Sequence, residues 1–316
     1  MGTTEVTASS PVRWPGLDGA DRRFSLVVMG DVFIEVRAEL PGTRFAAVTE
    51  DRLVYAATRA TVAGTGVNLA RTATRYFRRT ALLAKVGDDD YTAVIRRELR
   101  RLRVRDLLRV EHHSTNGVAV MLRDQSPERG VRLLVAGRDG PNRHLGETDV
   151  QGAASEIRRA DVLFMDGYSL LAPDSRAALR AAARVAREAG TLVAFDLVPH
   201  DIDARLPATD VVPILELADV IITEAPSVAR LLGRPEPVGS GEVRALLPAL
   251  DRAVAGRPLW LLRFGATSLE RVLAHQSERV RLEYPSGYGS GIERAGYGDR
   301  LAACELYWWL SALSSA

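Results

Sequence analysis

Short apolar runs alternate with helix-length amphipathic segments along most of the chain. Six runs have the length and composition of buried strands: residues 24–29, 81–86, 162–165, 192–196, 220–222 and 259–263. Between them, residues 69–77, 87 to about 104, 174–189 and 227–232 have the apolar spacing or flanking glycines of helices. Strands that alternate with helices predict a parallel sheet with helices on both faces, and therefore an α/β protein.

A second pattern, alternation of apolar and polar residues, occurs in residues 117–123 and 130–135 around a turn at 125–128. It predicts paired strands. Together with an insertion at about residues 32–60, the segment 117–135 is expected to form a small β lid. Residues 1–23 are rich in Ser, Thr, Pro and Gly and are expected to be a flexible tail, which leaves residues 24–316 as one α/β domain.

Four residues with chemical potential follow apolar strand runs or begin a helix: Asp196, Glu224, Gly265 and Asp299. Ligands of open parallel sheets bind beyond the carboxyl ends of the strands. We therefore expect these four residues on one rim of the sheet. Asp161 and Asp166 bracket a strand, and their spacing does not predict a carboxylate dyad.

Composition and charge narrow the function classes. The formal net charge of +2 is too small to indicate nucleic-acid or membrane binding by itself. No apolar run approaches about 18 residues, and no signal-peptide pattern begins the chain, so the cytoplasm is the expected location. The single cysteine, Cys304, excludes an internal disulfide framework and a cysteine-based metal site.

The segment Gly296-Tyr297-Gly298-Asp299 delivers an aspartate into the first turn of a predicted helix. Free amides at a helix start bind anions, and a carboxylate beside them can accept the proton of an attacking hydroxyl. The alternative is a capped helix after a glycine loop, with Asp299 as the N-cap.

Six segments, in order, resemble the signatures of the ribokinase family, the PfkB-type carbohydrate and nucleoside kinases. They are the glycine-rich turn into Asn68-Leu69-Ala70, residues 84–89 (Ala-Lys-Val-Gly-Asp-Asp), 115–117 (Thr-Asn-Gly), 139–142 (Asp-Gly-Pro-Asn), 166–168 (Asp-Gly-Tyr) and 296–299. The resemblance covers about residues 25–312. It implies a three-layer α/β/α fold with a mainly parallel central sheet and a small β lid.

The resemblance also implies an enzyme, a transferase that moves the γ-phosphoryl group of ATP, with Mg²⁺, to a hydroxyl of a small sugar, cyclitol or nucleoside. Asp299 would be the general base, and the amides of Gly296, Tyr297 and Gly298 would form the anion hole. The polyol pocket would contain Asp31, Glu35, Gly64 and Asn68. From the residues alone, Asn68 can instead cap a helix, and Glu35 can be an exposed acid at a strand end.

Departures from the family pattern lie on the nucleotide side. The implied nucleotide-binding residues are Arg263, Gly265, Thr267 and Arg294, and the two arginines can bind phosphate in place of missing threonines. No residue is expected to bind the metal directly, and Glu224 would reach it through water. The alternative is a catalytically degenerate ribokinase-like protein that binds a small ligand or partner without phosphorylating it.

The last predicted helix carries Tyr307, Trp308 and Trp309 on nearly every side. The resemblance implies further helices after this one, whereas the sequence ends one helix after Asp299. We expect either a homodimer partner or the N-terminal tail, with Trp14, to cover the aromatic surface.

Overall fold

A computed structural model describes residues 21–40, 42, 44–45, 48, 50–51, 53–124, 132–137, 140–286 and 296–314. The predicted turn at 125–128, Trp14, Arg294 and most of the tail lie outside these residues.

The strands, in chain order, are β1 (Ser25–Met29), β2 (Phe33–Leu40), β3 (Ala57–Ala63), β4 (Arg79–Leu83), β5 (Lys85–Val86), β6 (Arg105–Asp106), β7 (Arg109–Val110), β8 (Val118–Asp124), β9 (Arg132–Ala136), β10 (Val162–Asp166), β11 (Leu192–Asp196), β12 (Val220–Glu224), β13 (Leu259–Phe264), β14 (Arg271–Gln276) and β15 (Val280–Pro285). The helices are α1 (Thr65–Ala73), α2 (Asp90–Leu102), α3 (Glu147–Arg158), α4 (Pro173–Glu188), α5 (Ile202–Arg205), α6 (Ala208–Leu215), α7 (Ala225–Leu231), α8 (Ser240–Ala253) and α9 (Tyr297–Ser314).

The larger sheet has nine strands within the described residues, in the order β15-β14-β13-β12-β11-β10-β1-β4-β6. From β13 to β6 the neighbours are parallel, and the hairpin β14–β15 adds two antiparallel strands at the other edge. Alternate residues of β1 face opposite sides: Val27 and Met29 pack with α3, α4 and α8, whereas Leu26 and Val28 pack with α1, α2 and α9. The expected three-layer α/β/α fold is confirmed.

A second sheet, in the order β3-β2-β8-β9, lies across the end of the first. Its strands come from the two segments in which the sequence predicts the lid. Strands β2 and β8 are parallel, and each also pairs with an antiparallel neighbour, β3 and β9.

Two predicted elements differ from the structure. The run 81–86 forms two strands, because the chain leaves the large sheet at Ala84 and β5 pairs with β7 instead. The helix predicted over 69–77 is α1, which begins four residues earlier and ends at Ala73. A turn then brings Phe77 into the core, with its amide donating to the Ala73 carbonyl at 2.8 Å.

The aromatic residues of α9 are covered largely by the chain itself. Tyr307 packs against Phe24, Tyr76 and Phe77 with ring centroids 5.4–6.0 Å apart, and its hydroxyl donates to the Asp21 carbonyl at 2.8 Å. Trp309 is buried and Trp308 is half-buried. The expectation that this surface needs a partner chain or Trp14 was therefore wrong in its premise, and the homodimer stays a prediction without that support.

Candidate active site

A cavity of about 710 Å³ opens at the carboxyl ends of the parallel strands. Its walls come from the ends of β1 and β10–β13, from the start of α9, and from β2, β8 and β9 of the second sheet. Its volume is in the range of sites for small molecules. The residues predicted for the site that line it are Asp31, Glu35, Gly64, Asn68, Glu224, Arg263, Gly296, Gly298 and Asp299.

Asp299 is the third residue of α9, so it is inside the first turn and is not the N-cap. Its Oδ2 accepts a hydrogen bond from Asn68 Nδ2 at 3.1 Å. Burial raises the pKa of Asp299 to about 7; the Asn68 bond opposes the rise, the charges of Asp196 and Asp31 add to it, and Arg263 opposes it. A carboxylate with a pKa near neutrality is suited to act as a general base.

The glycines of the 296–299 turn are required by close contacts. Gly296 has φ of +70°, and a Cβ on it would lie 3.1 Å from Asn68 Nδ2. A Cβ on Gly298 would lie 3.4 Å from Arg263 Nη1. The bare backbone at these positions lets an amide and a guanidinium approach the start of α9.

Asn68 lies inside α1, four residues from its start, and does not cap it. Besides donating to Asp299, it accepts a hydrogen bond from Arg71 Nη1 at 2.9 Å through its Oδ1. Glu35 is buried in the middle of β2 and pairs with Arg37, so it is not an exposed acid at a strand end. The alternative interpretations of these two residues were wrong.

Gly64 allows the chain to pass Asp31 closely. Its φ is +117°, and a Cβ would lie 2.6 Å from the Asp31 carbonyl oxygen. Both the backbone conformation and the space favour glycine here.

Asp31 and Asp166 form a buried carboxylate pair that the residue spacing did not predict. The Asp31 amide donates to Asp166 Oδ2 at 3.0 Å, and the Gly66 amide approaches Asp31 Oδ1 at 3.4 Å. Burial raises the pKa of Asp31 to about 6, and burial together with the Asp31 charge raises the pKa of Asp166 well above its usual range. The register of β1 and β10, with Met29 opposite Met165, brings the two strand ends together.

Arg263 is held in a buried ion pair at the end of β13. Its Nη2 donates to Glu305 Oε2 at 2.9 Å, and its Nη1 lies 3.9 Å from Asp196 Oδ2. The two carboxylates outweigh the opposing effect of burial and raise the pKa of Arg263, while burial raises the pKa of Asp196 to about 6. Glu305 was not among the predicted site residues, because it lies in an apolar helix.

Glu224 lies on the cavity wall, with its Oε1 3.3 Å from His200 Nδ1. The described part of the chain contains no group of three His, Cys, Asp or Glu residues that could hold a metal ion. Gly265 and Thr267, in the loop after β13, do not line this cavity, and their predicted contacts with nucleotide stay predictions.

Residues 24–255 match the model of the pfkB family of carbohydrate kinases, which is more than half of the chain. The chain belongs to this family. The predicted enzyme class, a carbohydrate kinase, is thereby confirmed at the level of the family. The match ends before the Gly296–Asp299 turn, so the role of that turn is supported by its geometry and by the motif it resembles.

Family relatives share moderate identity with the chain. An ATP-dependent ribose-1-phosphate kinase of Halopiger xanaduensis is 29% identical over 73% of this chain and 67% of its own length. A 2-dehydro-3-deoxygluconokinase of Thermoproteus tenax is 28% identical over 70% of this chain and 66% of its own length. The chain thus matches about two thirds of the length of these curated relatives.

The fold is that of solved family structures. The adenosine kinase of Sinorhizobium meliloti superposes with a TM-score of 0.74 at 16% identity, over 91% of this chain and 88% of that one. At this identity the likeness shows the fold alone. No helix in the described ranges is both long and apolar enough to cross a membrane. The cytoplasmic location stays a prediction.

Proposed function

We propose that this protein transfers the γ-phosphoryl group of ATP to a hydroxyl of a small sugar, cyclitol or nucleoside. The observation that carries the proposal is the Asp299 carboxylate, which faces the cavity from the first turn of α9 and bonds to Asn68. Membership in the family supports it. So do the names of its relatives, which denote kinases of ribose 1-phosphate and 2-dehydro-3-deoxygluconate.

Asp299 acts as the general base in this proposal. It takes the proton of the acceptor hydroxyl while the hydroxyl oxygen forms a bond to the γ-phosphorus of ATP. The bond between that phosphorus and the β–γ bridging oxygen breaks, and ADP leaves with the electron pair. The products are the phosphorylated acceptor, ADP and a proton that passes from Asp299 to solvent.

The amides of Gly296, Tyr297 and Gly298 bind the transferred phosphoryl group at the positive end of the α9 dipole. The Arg263 guanidinium, whose Nη1 lies beside Gly298, adds a fixed positive charge. An arginine that is already aligned by Glu305 costs little reorganisation when negative charge develops next to it.

The acceptor hydroxyls bind on the other side of the cavity, to Asp31, Glu35 and Asn68, with Gly64 leaving room for the backbone to approach. Carboxylates and amides bind adjacent hydroxyls in pairs, and such sites reject analogues that lack one hydroxyl. The second sheet forms the lid, which excludes water from the reacting groups.

The nucleotide side comprises Arg263, Gly265, Thr267 and Arg294. The donor set fits a Mg²⁺ ion that arrives with the nucleotide, with Glu224 as a carboxylate on the cavity wall that contacts it through water. When bound, the ion neutralises negative charge on the phosphates.

A non-catalytic binding protein on the same fold is the second candidate. The observation that favours it is the neutralisation of Arg263 by Glu305 and Asp196, which leaves little net positive charge for a phosphate. This candidate predicts a ligand in the cavity without release of ADP.

The two functions are separated by one set of measurements. Calorimetry with ATP·Mg²⁺ is followed by a screen of sugars, cyclitols and nucleosides for ADP release. We expect ATP binding, turnover with at least one acceptor, and a loss of kcat of about 10²–10⁴-fold in Asp299→Asn, the usual contribution of a general base. Turnover that survives Asp299→Asn would remove Asp299 as the base, and the absence of ATP binding at millimolar concentration would exclude the kinase.

A further inference from the structure

The arginines of the cavity are not equivalent. Among the described residues, four arginines line it. Three of them are each paired with a carboxylate: Arg37 with Glu35, Arg205 with Asp201 and Arg263 with Glu305. Within the described ranges, the side chain of the fourth, Arg143, has no ion pair and no hydrogen bond. Arg143 is half-buried, so its charge is partly removed from water without a carboxylate to balance it.

The backbone at Arg143 is fixed in place. Residues Pro141–Arg143 form one turn of 3₁₀ helix between β9 and α3. The buried Ser175 hydroxyl donates to the Arg143 carbonyl at 2.9 Å, and the Arg143 amide donates to the Gly140 carbonyl at 3.0 Å. On the next residue, Lys85 Nζ donates to the His144 carbonyl at 2.8 Å. With the backbone satisfied, only the guanidinium is left to bind a ligand.

The turn lies on the acceptor side of the cavity. It packs against the 3₁₀ turn Gly167–Leu171, which directly follows β10 and its carboxylate Asp166. Asp166 bonds to the Asp31 amide, and Asp31 is a proposed ligand of the acceptor hydroxyls. The proposed nucleotide side begins two strands away, at the ends of β12 and β13.

We propose that the acceptor carries an anionic group, a phosphate or a carboxylate, and that Arg143 binds this group. The inference rests on the proposed function, because it names the chemical class of the same acceptor. A guanidinium fork pairs with both oxygens of a carboxylate or phosphate, whereas a neutral polyol offers no charge to balance Arg143. The acidic residues beside Asp31 would then bind hydroxyls at the opposite end of the same molecule.

The test compares matched neutral and anionic acceptors: D-ribose against ribose 1-phosphate, and D-glucose against D-gluconate. We expect kcat/KM to favour the anionic member of at least one pair. Arg143→Ala should lower that preference on the order of 100-fold through KM, because two charge-assisted hydrogen bonds are lost. Arg143→Lys should restore part of the loss, since it keeps the charge but not the fork. The pair that shows the preference identifies phosphate or carboxylate.

Two controls make the result specific. Arg205→Ala removes an arginine of the same cavity that is already paired with Asp201, and it should leave the preference unchanged. The KM for ATP should be the same in Arg143→Ala as in the wild type; a rise in that KM with no change in acceptor preference would overturn the inference by assigning Arg143 to the nucleotide.

The inference and the proposed function can fail separately. Asp299-dependent turnover with equal preference for both members of each pair, unaffected by Arg143→Ala, would overturn the inference and leave the kinase intact. If no acceptor is phosphorylated, calorimetry with ribose 1-phosphate and D-gluconate still decides. Binding that Arg143→Ala abolishes supports the anion site although the kinase fails, and the absence of binding overturns the anion site.

Discussion

The acceptor side and the nucleotide side of the cavity are built by different means. On the acceptor side, Asp31, Asn68 and Asp299 lie where the family motif leads one to expect them, and Gly64 and Gly296 have positive φ and close contacts that a side chain would disturb. On the nucleotide side, the fixed feature is a buried ion pair between Arg263 and Glu305, at a position where the motif it resembles has no arginine.

The difference shows where the chain retains a family pattern and where it has rebuilt one. Hydroxyl-binding carboxylates depend on exact backbone positions, and the glycines preserve those positions. A phosphate is bound by charge and by amides, so an arginine anchored by a glutamate can replace threonine contacts. The comparison makes two claims that can be tested apart: Glu305 holds Arg263, and Gly64 and Asn68 hold the acceptor side.

The largest effect on stability is expected from Glu305→Ala. Removing one partner of a buried ion pair leaves an uncompensated charge and costs roughly 3–5 kcal/mol, so the free energy of unfolding should fall by about that amount in urea titrations. The double variant Arg263→Met/Glu305→Leu should recover most of the loss, because it buries no charge. Arg101→Ala, which breaks the exposed Arg101–Glu98 pair, should cost less than about 1 kcal/mol.

The same variants sharpen the comparison if activity is measured. Arg263→Met/Glu305→Leu should be stable yet should raise the KM for ATP or lower kcat, and should leave the KM for the acceptor unchanged. Unchanged kinetics in this stable double variant would mean that the ion pair only fastens α9 to the sheet.

A smaller effect is expected from Gly64→Ala. The new Cβ meets the Asp31 carbonyl oxygen at 2.6 Å, and the positive φ adds strain of roughly 1–3 kcal/mol. The displaced Asp31 should raise the KM for the acceptor. Gly233→Ala is the matched control, because Gly233 also has positive φ, at +63°, but has no neighbour within 4 Å of a Cβ. An equal rise in acceptor KM in both variants would contradict a role of Gly64 in positioning Asp31.

The smallest effect is expected from Asn68→Ala, which acts on the pKa of Asp299. Asn68 donates to the Asp299 carboxylate and lowers its pKa, so loss of this donor should raise the pKa. Because the base must be deprotonated, the acidic limb of the profile of kcat/KM against pH should move to higher pH, with most of the activity retained at alkaline pH. A uniform loss at every pH would assign Asn68 to acceptor binding alone.

The parallel sheet was predictable because its strands are continuous apolar runs separated by helices and glycines. The hairpin β14–β15 was not predicted. Val272, Leu273 and Ala274 are all buried, so β14 lacks the alternation that indicates an edge hairpin, and the turn at Ser277 uses a positive φ without glycine. Strand 81–86 divides in the structure because the chain leaves the sheet at Ala84, which the apolar run does not show.

The site was predictable where a short motif holds its residues together, as at 296–299. It was not predictable where partners come from distant segments. Asp166 meets Asp31 only because β1 and β10 are neighbours in register, and Glu305 meets Arg263 only because α9 packs on the sheet face behind β13. Arg143 belongs to the same class, since its unpaired state depends on which carboxylates the fold places near it.

The most direct test of the central claim, that Asp299 is the base of an active kinase, is the pH dependence of kcat/KM between about pH 5 and pH 9 for the wild type and Asp299→Asn. The pKa of Asp299 is raised to about 7, so wild-type activity should rise with pH through this value and level off above it. Asp299→Asn should be folded, should lose activity by about 10²–10⁴-fold and should lose this limb. A wild-type profile without an acidic limb, or a limb that remains in Asp299→Asn, would contradict the claim.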